Sequence, residues 1–106
     1  MKQMKTLGTH NDYVYILTNH LNKTVLYIGF TNDLKARLYW HQNPDAMNKH
    51  FTSKYKCFFL VYYEHFQDVE IAIAREKQLK GWTRLKKENL IKDFNPDWKF
   101  LNKEIE

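Results

Sequence analysis

The sequence predicts an α+β domain with its elements in the order β-β-α-β-α-α. Two short runs rich in strand-forming residues, Tyr13–Leu17 and Val25–Ile28, stand close together near the start. A segment with apolar residues at helical spacing follows them, and an unbroken apolar run, Cys57–Tyr63, comes next. Two further helical segments complete the chain, which gives the predicted order.

Length and charge bound what the chain can be. Its 106 residues suffice for one domain with one modest core. The 17 basic and 12 acidic residues give a formal net charge of +5, which favours a polyanionic partner, although a solvated basic surface explains it equally well. The single cysteine, Cys57, excludes an internal disulfide and a thiolate zinc site and fits a reducing compartment, the cytoplasm. No apolar run is long enough to cross a membrane.

The first two strands form a hairpin in the simplest pairing. The connecting residues 18–24 are compatible with a turn, and a short connection joins antiparallel neighbours. Side chains alternate along a strand, so Tyr15 and Leu17 share one face. If Leu17 lies opposite Val25, Tyr15 lies opposite Tyr27, and two phenols meet on one side of the sheet.

The first helix is expected over residues 33–41. Leu34, Leu38 and His41 fall on one stripe, and Arg37 lies at its edge. Arg37 and His41 are four residues apart and therefore point the same way. An arginine on a helix is usually a solvated charge, but this one flanks the stripe that faces the sheet, which favours a functional role.

Gly and Pro residues mark boundaries between elements. Gly29, taken to follow the second strand, permits a tight turn or a close approach of the backbone to a ligand. Asn43-Pro44 indicates a turn in a loop, Gly81 ends or bends the second helix, and Asn95-Pro96 stops the third.

Three further elements follow the loop. The run Cys57–Tyr63 does not alternate, so it is predicted to be the central strand, buried on both faces. Asp68 is expected to cap a helix over Val69–Lys80. The last helix is expected over Leu85–Phe94.

Glu76 occupies a position where the helical stripe calls for an apolar residue. Burying a carboxylate is costly unless it is paired or binds a cation. An ion pair with Lys80, four residues on, is the simpler alternative. We favour a cation-binding role, because Lys80 can reach solvent while Glu76 lies on the stripe.

A basic band spans the last two helices. Such a band suits phosphate contacts, with an aromatic side chain for stacking or packing. By itself, however, a solvated helix face explains it better. The band contains Lys77, Lys80, Trp82, Arg84, Lys86, Lys87 and Lys92, and Lys54 is a further candidate for nucleic-acid binding.

Taken together, these residues resemble the GIY-YIG nuclease superfamily, most closely its small stand-alone bacterial members. The similarity covers roughly residues 12–101, which leaves residues 1–11 as a loose arm and 102–106 as a tail. One departure is Tyr13, which stands where the superfamily has its name-giving glycine. The segments that carry the resemblance are Tyr13-Val14-Tyr15-Ile16, Tyr27-Ile28-Gly29, Phe51-Thr52-Ser53-Lys54-Tyr55, Arg75-Glu76-Lys77-Gln78-Leu79-Lys80-Gly81-Trp82 and Asn95-Pro96-Asp97-Trp98, with Arg37 and His41 between them.

The resemblance implies a three-stranded antiparallel sheet flanked by helices, and phosphodiester hydrolysis with one divalent metal ion, Mg²⁺ or Mn²⁺. One carboxylate and a substrate phosphate can hold such an ion, since Mg²⁺ prefers oxygen ligands and keeps several waters. The implied roles are Glu76 as metal ligand, Arg37 as phosphate clamp, Tyr15 as base, Tyr27 and His41 as positioning groups, His41 as a second candidate base, and Asn95 as the nearest match to the superfamily's terminal Asn.

The expected activity is an endonuclease acting on DNA, with RNA as an open alternative. Without a separate recognition domain, its action should be structure-selective or weakly sequence-selective. A protein partner is one way in which target specificity could be supplied. A nucleic-acid-binding module with little turnover and a protein-interaction domain with a relict site are the competing hypotheses. The residues do not distinguish DNA repair from defence.

Overall fold

A computed structural model describes residues 11–19, 23, 25–42 and 57–105. The predicted order β-β-α-β-α-α is confirmed, and one short helix follows it. The helix predicted over Val69–Lys80 has those bounds in the structure. The described elements are β1 (Asp12–Asn19), β2 (Leu26–Thr31), α1 (Leu34–Gln42), β3 (Cys57–Phe66), α2 (Val69–Lys80), α3 (Arg84–Phe94) and α4 (Asn102–Ile105).

The three strands form an antiparallel sheet in the order β2-β1-β3. The predicted antiparallel sheet is confirmed, but the prediction that the third strand is central is wrong, because β1 occupies that place. The chain after α3 borders part of β3, with the Leu101 amide donating to the Leu60 carbonyl at 2.7 Å. The chain segment after α3 covers this edge, and helices cover both faces of the sheet. An edge strand in this position can therefore have an unbroken apolar sequence.

The register of the hairpin differs from the expected one by two residues. Tyr15 pairs with Gly29, and Leu17 pairs with Tyr27. A shift of two residues keeps every side chain on its predicted face. The two phenols are therefore diagonal neighbours rather than opposite partners, with ring centroids 6.5 Å apart.

Helices cover both faces of the sheet, and β1 supplies the centre of both cores. One face packs β1 residues Val14 and Ile16 against α2 and α3. The other face packs Tyr15 and Leu17 against Leu34 and other residues of α1 and the chain end. The residues from Val14 to Thr18 are all fully buried, so the strand that carries Tyr15 is the most enclosed element described.

Side-chain caps set the starts of the helices that carry candidate residues. The Asp33 carboxylate accepts from the Ala36 amide at 3.1 Å at the start of α1. The predicted Asp68 cap of α2 is confirmed, since its carboxylate accepts from the Glu70 amide at 2.8 Å. These caps satisfy amides that have no partner within the helix.

The expected tail over residues 102–106 contains a helical turn that packs on the domain. The Asn102 side-chain oxygen accepts from the Leu60 amide at 2.9 Å. Leu101 is buried, and Ile105 packs on the same core cluster. In the part of the chain that is described, no helix has the length and apolarity needed to span a membrane.

Candidate active site

Tyr15 lies at the centre of the candidate site. Its side chain is fully buried on the face of β1 that packs against α1. The Tyr15 hydroxyl and Nε2 of His41 are 3.1 Å apart, which is a hydrogen bond when the phenol donates to an unprotonated Nε2. His41 is 9% exposed. A strand and a helix thus bring together two groups that are 26 residues apart in sequence.

Gly29 lies within β2, not after it as predicted, and it makes room for the Tyr15 ring. A Cβ at Gly29 would lie 2.9 Å from Cε1 of Tyr15 and closer still to Cζ and the hydroxyl oxygen. The glycine therefore allows a close approach, but the group that approaches is the phenol of Tyr15.

Gly29→Ala is expected to lower the free energy of unfolding by about 1–3 kcal/mol, because the added methyl group overpacks the site. Urea denaturation of the purified variant measures this loss. Gly81→Ala is the matched control, since its Cβ would meet only backbone oxygens at 3.6 and 3.8 Å and φ is −85° there. Equal stability of the two variants would contradict this account of Gly29.

Helix α1 places Arg37 beside Tyr15. Nη1 of Arg37 donates to the Phe30 carbonyl at 3.4 Å, and Cζ lies 5.7 Å from the centre of the Trp40 ring. Nε of Arg37 is buried and has no hydrogen-bond partner among the described residues. A buried N–H without a partner is costly, so this N–H is suited to donate a hydrogen bond to an incoming anion.

Tyr27 completes the aromatic part of the site. Its ring centroid is 5.6 Å from that of His41, with the two planes at 65°. Tyr27 is half-buried, so it is partly exposed to solvent, and its ring centroid lies 6.5 Å from that of Tyr15. The structure thus brings Tyr15, Tyr27, Arg37 and His41 together.

Burial is the largest cause that raises the pKa of Tyr15 above its ordinary value. Tyr27 and the charge of Glu76 raise this pKa further, while the positive charge of the Arg37 guanidinium lowers it. The balance keeps the phenol protonated at neutral pH. The effect of Glu76 also shows that this carboxylate, on α2, lies within electrostatic reach of the site.

The raised pKa of Tyr15 predicts a loss of stability at alkaline pH. Above about pH 10 the phenol ionises in the unfolded chain but keeps its proton in the folded protein, so stability falls as pH rises, by up to about 1.4 kcal/mol per pH unit for one group. Tyr15→Phe should make this fall shallower in urea denaturation between pH 9 and 11. Tyr39→Phe, at a 58% exposed position, is the control, and equal slopes for wild type and Tyr15→Phe would refute the prediction.

Glu76 is only partly exposed on α2, as its place on the stripe predicts. Its side chain is 19% exposed, and it forms the ion pair with Lys80 at 3.2 Å. Lys80 is 56% exposed, so it can turn to solvent and release the carboxylate. The described residues contain no group of three or more His, Cys, Asp and Glu side chains that could hold a metal ion.

Several members of the basic band make contacts within the domain. The Trp82 ring is half-buried against the core, with Lys86 Nζ 4.3 Å and Arg75 Cζ 5.2 Å from its centre. Arg84 pairs with Glu88 at 2.8 Å and donates to the Lys23 carbonyl at 2.7 Å. Trp82 therefore packs on the core, and its role in stacking on a nucleic acid stays a prediction. Lys77 and Lys87 remain candidates for phosphate contacts, and Lys54 lies outside the described residues.

Asn95 closes the turn after α3. It is 6% exposed, and Nδ2 donates to the carbonyls of Val61 and Lys99 at 3.1 and 2.8 Å. Its side-chain oxygen accepts from the Lys99 amide at 3.0 Å. Both amide protons hold backbone in place, so we leave Asn95 out of the proposed catalytic set.

A family model for the GIY-YIG catalytic domain matches residues 11–89. This match contains Tyr15, Tyr27, Arg37, His41 and Glu76. The chain belongs to the GIY-YIG family. The GIY-YIG match ends before Asn95, and it includes both helix α1 and helix α2, which carry the proposed polar groups.

The relatives of this GIY-YIG protein are small proteins of similar length. A UPF0213 protein of Bacillus pumilus is 34% identical over 84 residues, which cover 79% of this chain and 82% of the relative. One from Haloquadratum walsbyi is 30% identical over 83 residues, covering 78% and 91%. The solution NMR structure of a UPF0213 protein from Bacillus halodurans superposes with a TM-score of 0.54 at 30% identity, covering 83% of this chain and 89% of that one. These matches confirm the predicted likeness to small stand-alone members.

Proposed function

We propose that this protein is a metal-dependent endonuclease that hydrolyses phosphodiester bonds in DNA. The observation that carries the proposal is the buried Tyr15–His41 hydrogen bond beside a guanidinium with an unpaired N–H. Membership of the GIY-YIG catalytic domain family supports a nucleic-acid substrate. A buried N–H without a partner destabilises the fold, so its presence here favours a functional role.

Arg37 is proposed to bind the scissile phosphate. A guanidinium offers forked donors that match phosphate oxygens, and it keeps its charge at all relevant pH values. Because Trp40 and the Phe30 carbonyl already contact Arg37, it needs little reorganisation when the phosphate binds. Donors fixed in advance stabilise the charge that develops on the phosphate during attack.

Tyr15 and His41 are proposed to remove the proton from the attacking water. Because burial keeps the phenol neutral, Tyr15 needs an acceptor for its own proton. Nε2 of His41, at 3.1 Å, is that acceptor. In the proposed step the water proton moves to the Tyr15 oxygen while the Tyr15 proton moves to Nε2, and the new hydroxide bonds to phosphorus. The bond between phosphorus and the leaving oxygen breaks, and the leaving oxygen takes a proton from solvent. Tyr27 orients the water from the half-buried side of the site.

Glu76 is proposed to bind the divalent metal ion, Mg²⁺ or Mn²⁺. A single carboxylate suits these ions, since they keep several waters and take substrate oxygens as ligands. The residues present fit this group, because the charge of Glu76 acts on Tyr15 and its cation partner, Lys80, is displaceable. When bound, the ion acts as a Lewis acid that polarises the phosphate and stabilises the leaving oxygen.

The proposed substrate is DNA read by shape or with weak sequence preference. All the described strands belong to one three-stranded sheet, so none of them forms a separate element for reading bases. The basic side chains that remain available offer contacts to phosphates, and such contacts carry no sequence information. We further propose that a protein partner contributes to target choice and that the enzyme acts in the cytoplasm.

The test is cleavage of a substrate panel by purified protein. Supercoiled plasmid, linear duplex, branched DNA and a matched RNA duplex are each incubated with Mg²⁺, Mn²⁺ or EDTA. We expect metal-dependent nicking of at least one DNA substrate and none in EDTA. Absence of cleavage across the panel would refute the proposal.

A nucleic-acid-binding module with little turnover is the second candidate. The Glu76–Lys80 ion pair and the raised pKa of Tyr15 both oppose catalysis in the free protein. Binding that weakens steeply with salt, without cleavage of any substrate in the panel, favours this alternative.

A further inference from the structure

A charged network joins β3 to α2 outside the proposed catalytic set. Nε of Arg75 donates to the two Glu64 oxygens at 3.0 and 3.2 Å, and Nη2 donates at 2.8 Å. The Tyr62 hydroxyl donates to the same carboxylate. The Arg75 and Glu64 side chains are 23% and 21% exposed. A forked pair of this kind fixes an angle as well as a distance.

Two further contacts hold Arg75. Nη1 donates to Oε1 of Gln78 at 2.7 Å, and Cζ lies 5.2 Å from the centre of the Trp82 ring. Trp82 packs on the core between α2 and α3. The guanidinium is thus tied to a strand, to its own helix and to the segment after that helix. Rotation of α2 about its axis would break the Glu64 fork and the Trp82 contact.

Arg75 directly precedes Glu76, so the rotation of α2 sets where the Glu76 carboxylate points. We infer that Glu64 and Arg75 are positioning residues, which fix this rotation and aim Glu76 at the site; the inference rests on the proposed function of Glu76. Side chains extend about 5–6 Å from a helix axis, so a rotation of about 10° moves the carboxylate by about 1 Å. A displacement of that size can cost about 10²-fold in rate.

Two substitutions test the inference in the full-length protein. Glu64→Gln removes the charge that Arg75 grips, and Arg75→Lys keeps the positive charge but loses the fork. We expect both to raise the dissociation constant for Mn²⁺, measured by water proton relaxation, by about tenfold or more. We expect kcat to fall by about 10- to 100-fold, with KM for DNA unchanged. A DNA-contacting role of Arg75 would instead change KM and leave Arg75→Lys active.

Two controls separate positioning from charge and from stability. Glu88→Gln breaks the exposed ion pair with Arg84 within α3, so it should leave Mn²⁺ binding unchanged. Ile91→Val removes a methylene from a fully buried position and lowers thermal stability, while it changes none of the network's polar groups. Circular dichroism shows whether each variant folds. If Glu64→Gln does not fold, Arg75→Lys alone tests the inference.

The outcomes separate this inference from the proposed function. If wild type cleaves DNA and both network variants bind Mn²⁺ and turn over as wild type does, the inference is wrong and the proposed function stands. If wild type neither cleaves DNA nor binds Mn²⁺, both are wrong. Weakened Mn²⁺ binding in both network variants, with normal binding in Glu88→Gln and Ile91→Val, supports positioning.

Discussion

Glu76→Gln is expected to lower the metal-dependent cleavage rate by about 10³-fold. The substitution preserves shape but removes the only carboxylate proposed for the metal ion, whose Lewis-acid contribution is worth several kcal/mol. Stability should change little, since the ion pair with Lys80 is partly exposed. Single-turnover nicking of plasmid and Mn²⁺ titration measure the two effects on the site.

Glu70→Gln is the matched control for this prediction. Glu70 is an exposed carboxylate about 1.7 turns earlier on the same helix, so its loss alters helix charge without reaching the site. Wild-type rates in Glu76→Gln, or an equal loss in Glu70→Gln, would remove Glu76 from the mechanism.

Tyr15→Phe is expected to slow cleavage by about 10²- to 10⁴-fold, the range for loss of a general acid–base group. The variant keeps the ring that fills the space above Gly29, so the free energy of unfolding at neutral pH should change by about 1 kcal/mol or less, the worth of one hydrogen bond. Rates under single-turnover conditions and urea denaturation separate chemistry from folding.

Tyr13→Phe is the control, since Tyr13 lies on the same strand and face and is half-buried. The proposed proton relay also predicts the behaviour of a double variant, because Tyr15 and His41 act as one unit in it. Tyr15→Phe combined with His41→Asn should cleave no more slowly than the slower single variant. Multiplicative losses in the double variant would show that the two residues act separately.

Local periodicity accounts for what could be predicted about the site. Alternation along β1 places Tyr15 on one face, and the four-residue spacing on α1 aligns Arg37 with His41. Because neither relation depends on distant parts of the chain, the predicted faces agree with the structure even where the register does not. The same holds for the cap and bounds of α2, which depend on neighbouring residues.

Long-range contacts decided what could not be predicted. The Leu101–Leu60 bond borders β3, and nothing within the run Cys57–Tyr63 indicates that a distant segment covers its edge. The observed register places the Tyr15 ring over Gly29. The prediction placed Gly29 after the strand, so it did not include this contact. The pairing of Glu64 with Arg75 could not be predicted, because a charge on a strand and a charge on a helix show no pattern until the two elements meet.

The enclosure of β1 links the site to the thermodynamics of the whole domain. Val14, Tyr15 and Ile16 are fully buried, between one core on each face and a strand on each side. Their amides should therefore exchange with solvent only when the domain unfolds globally. Loss of the proposed activity on heating should then coincide with the main unfolding transition, with no partly active, locally frayed form below it.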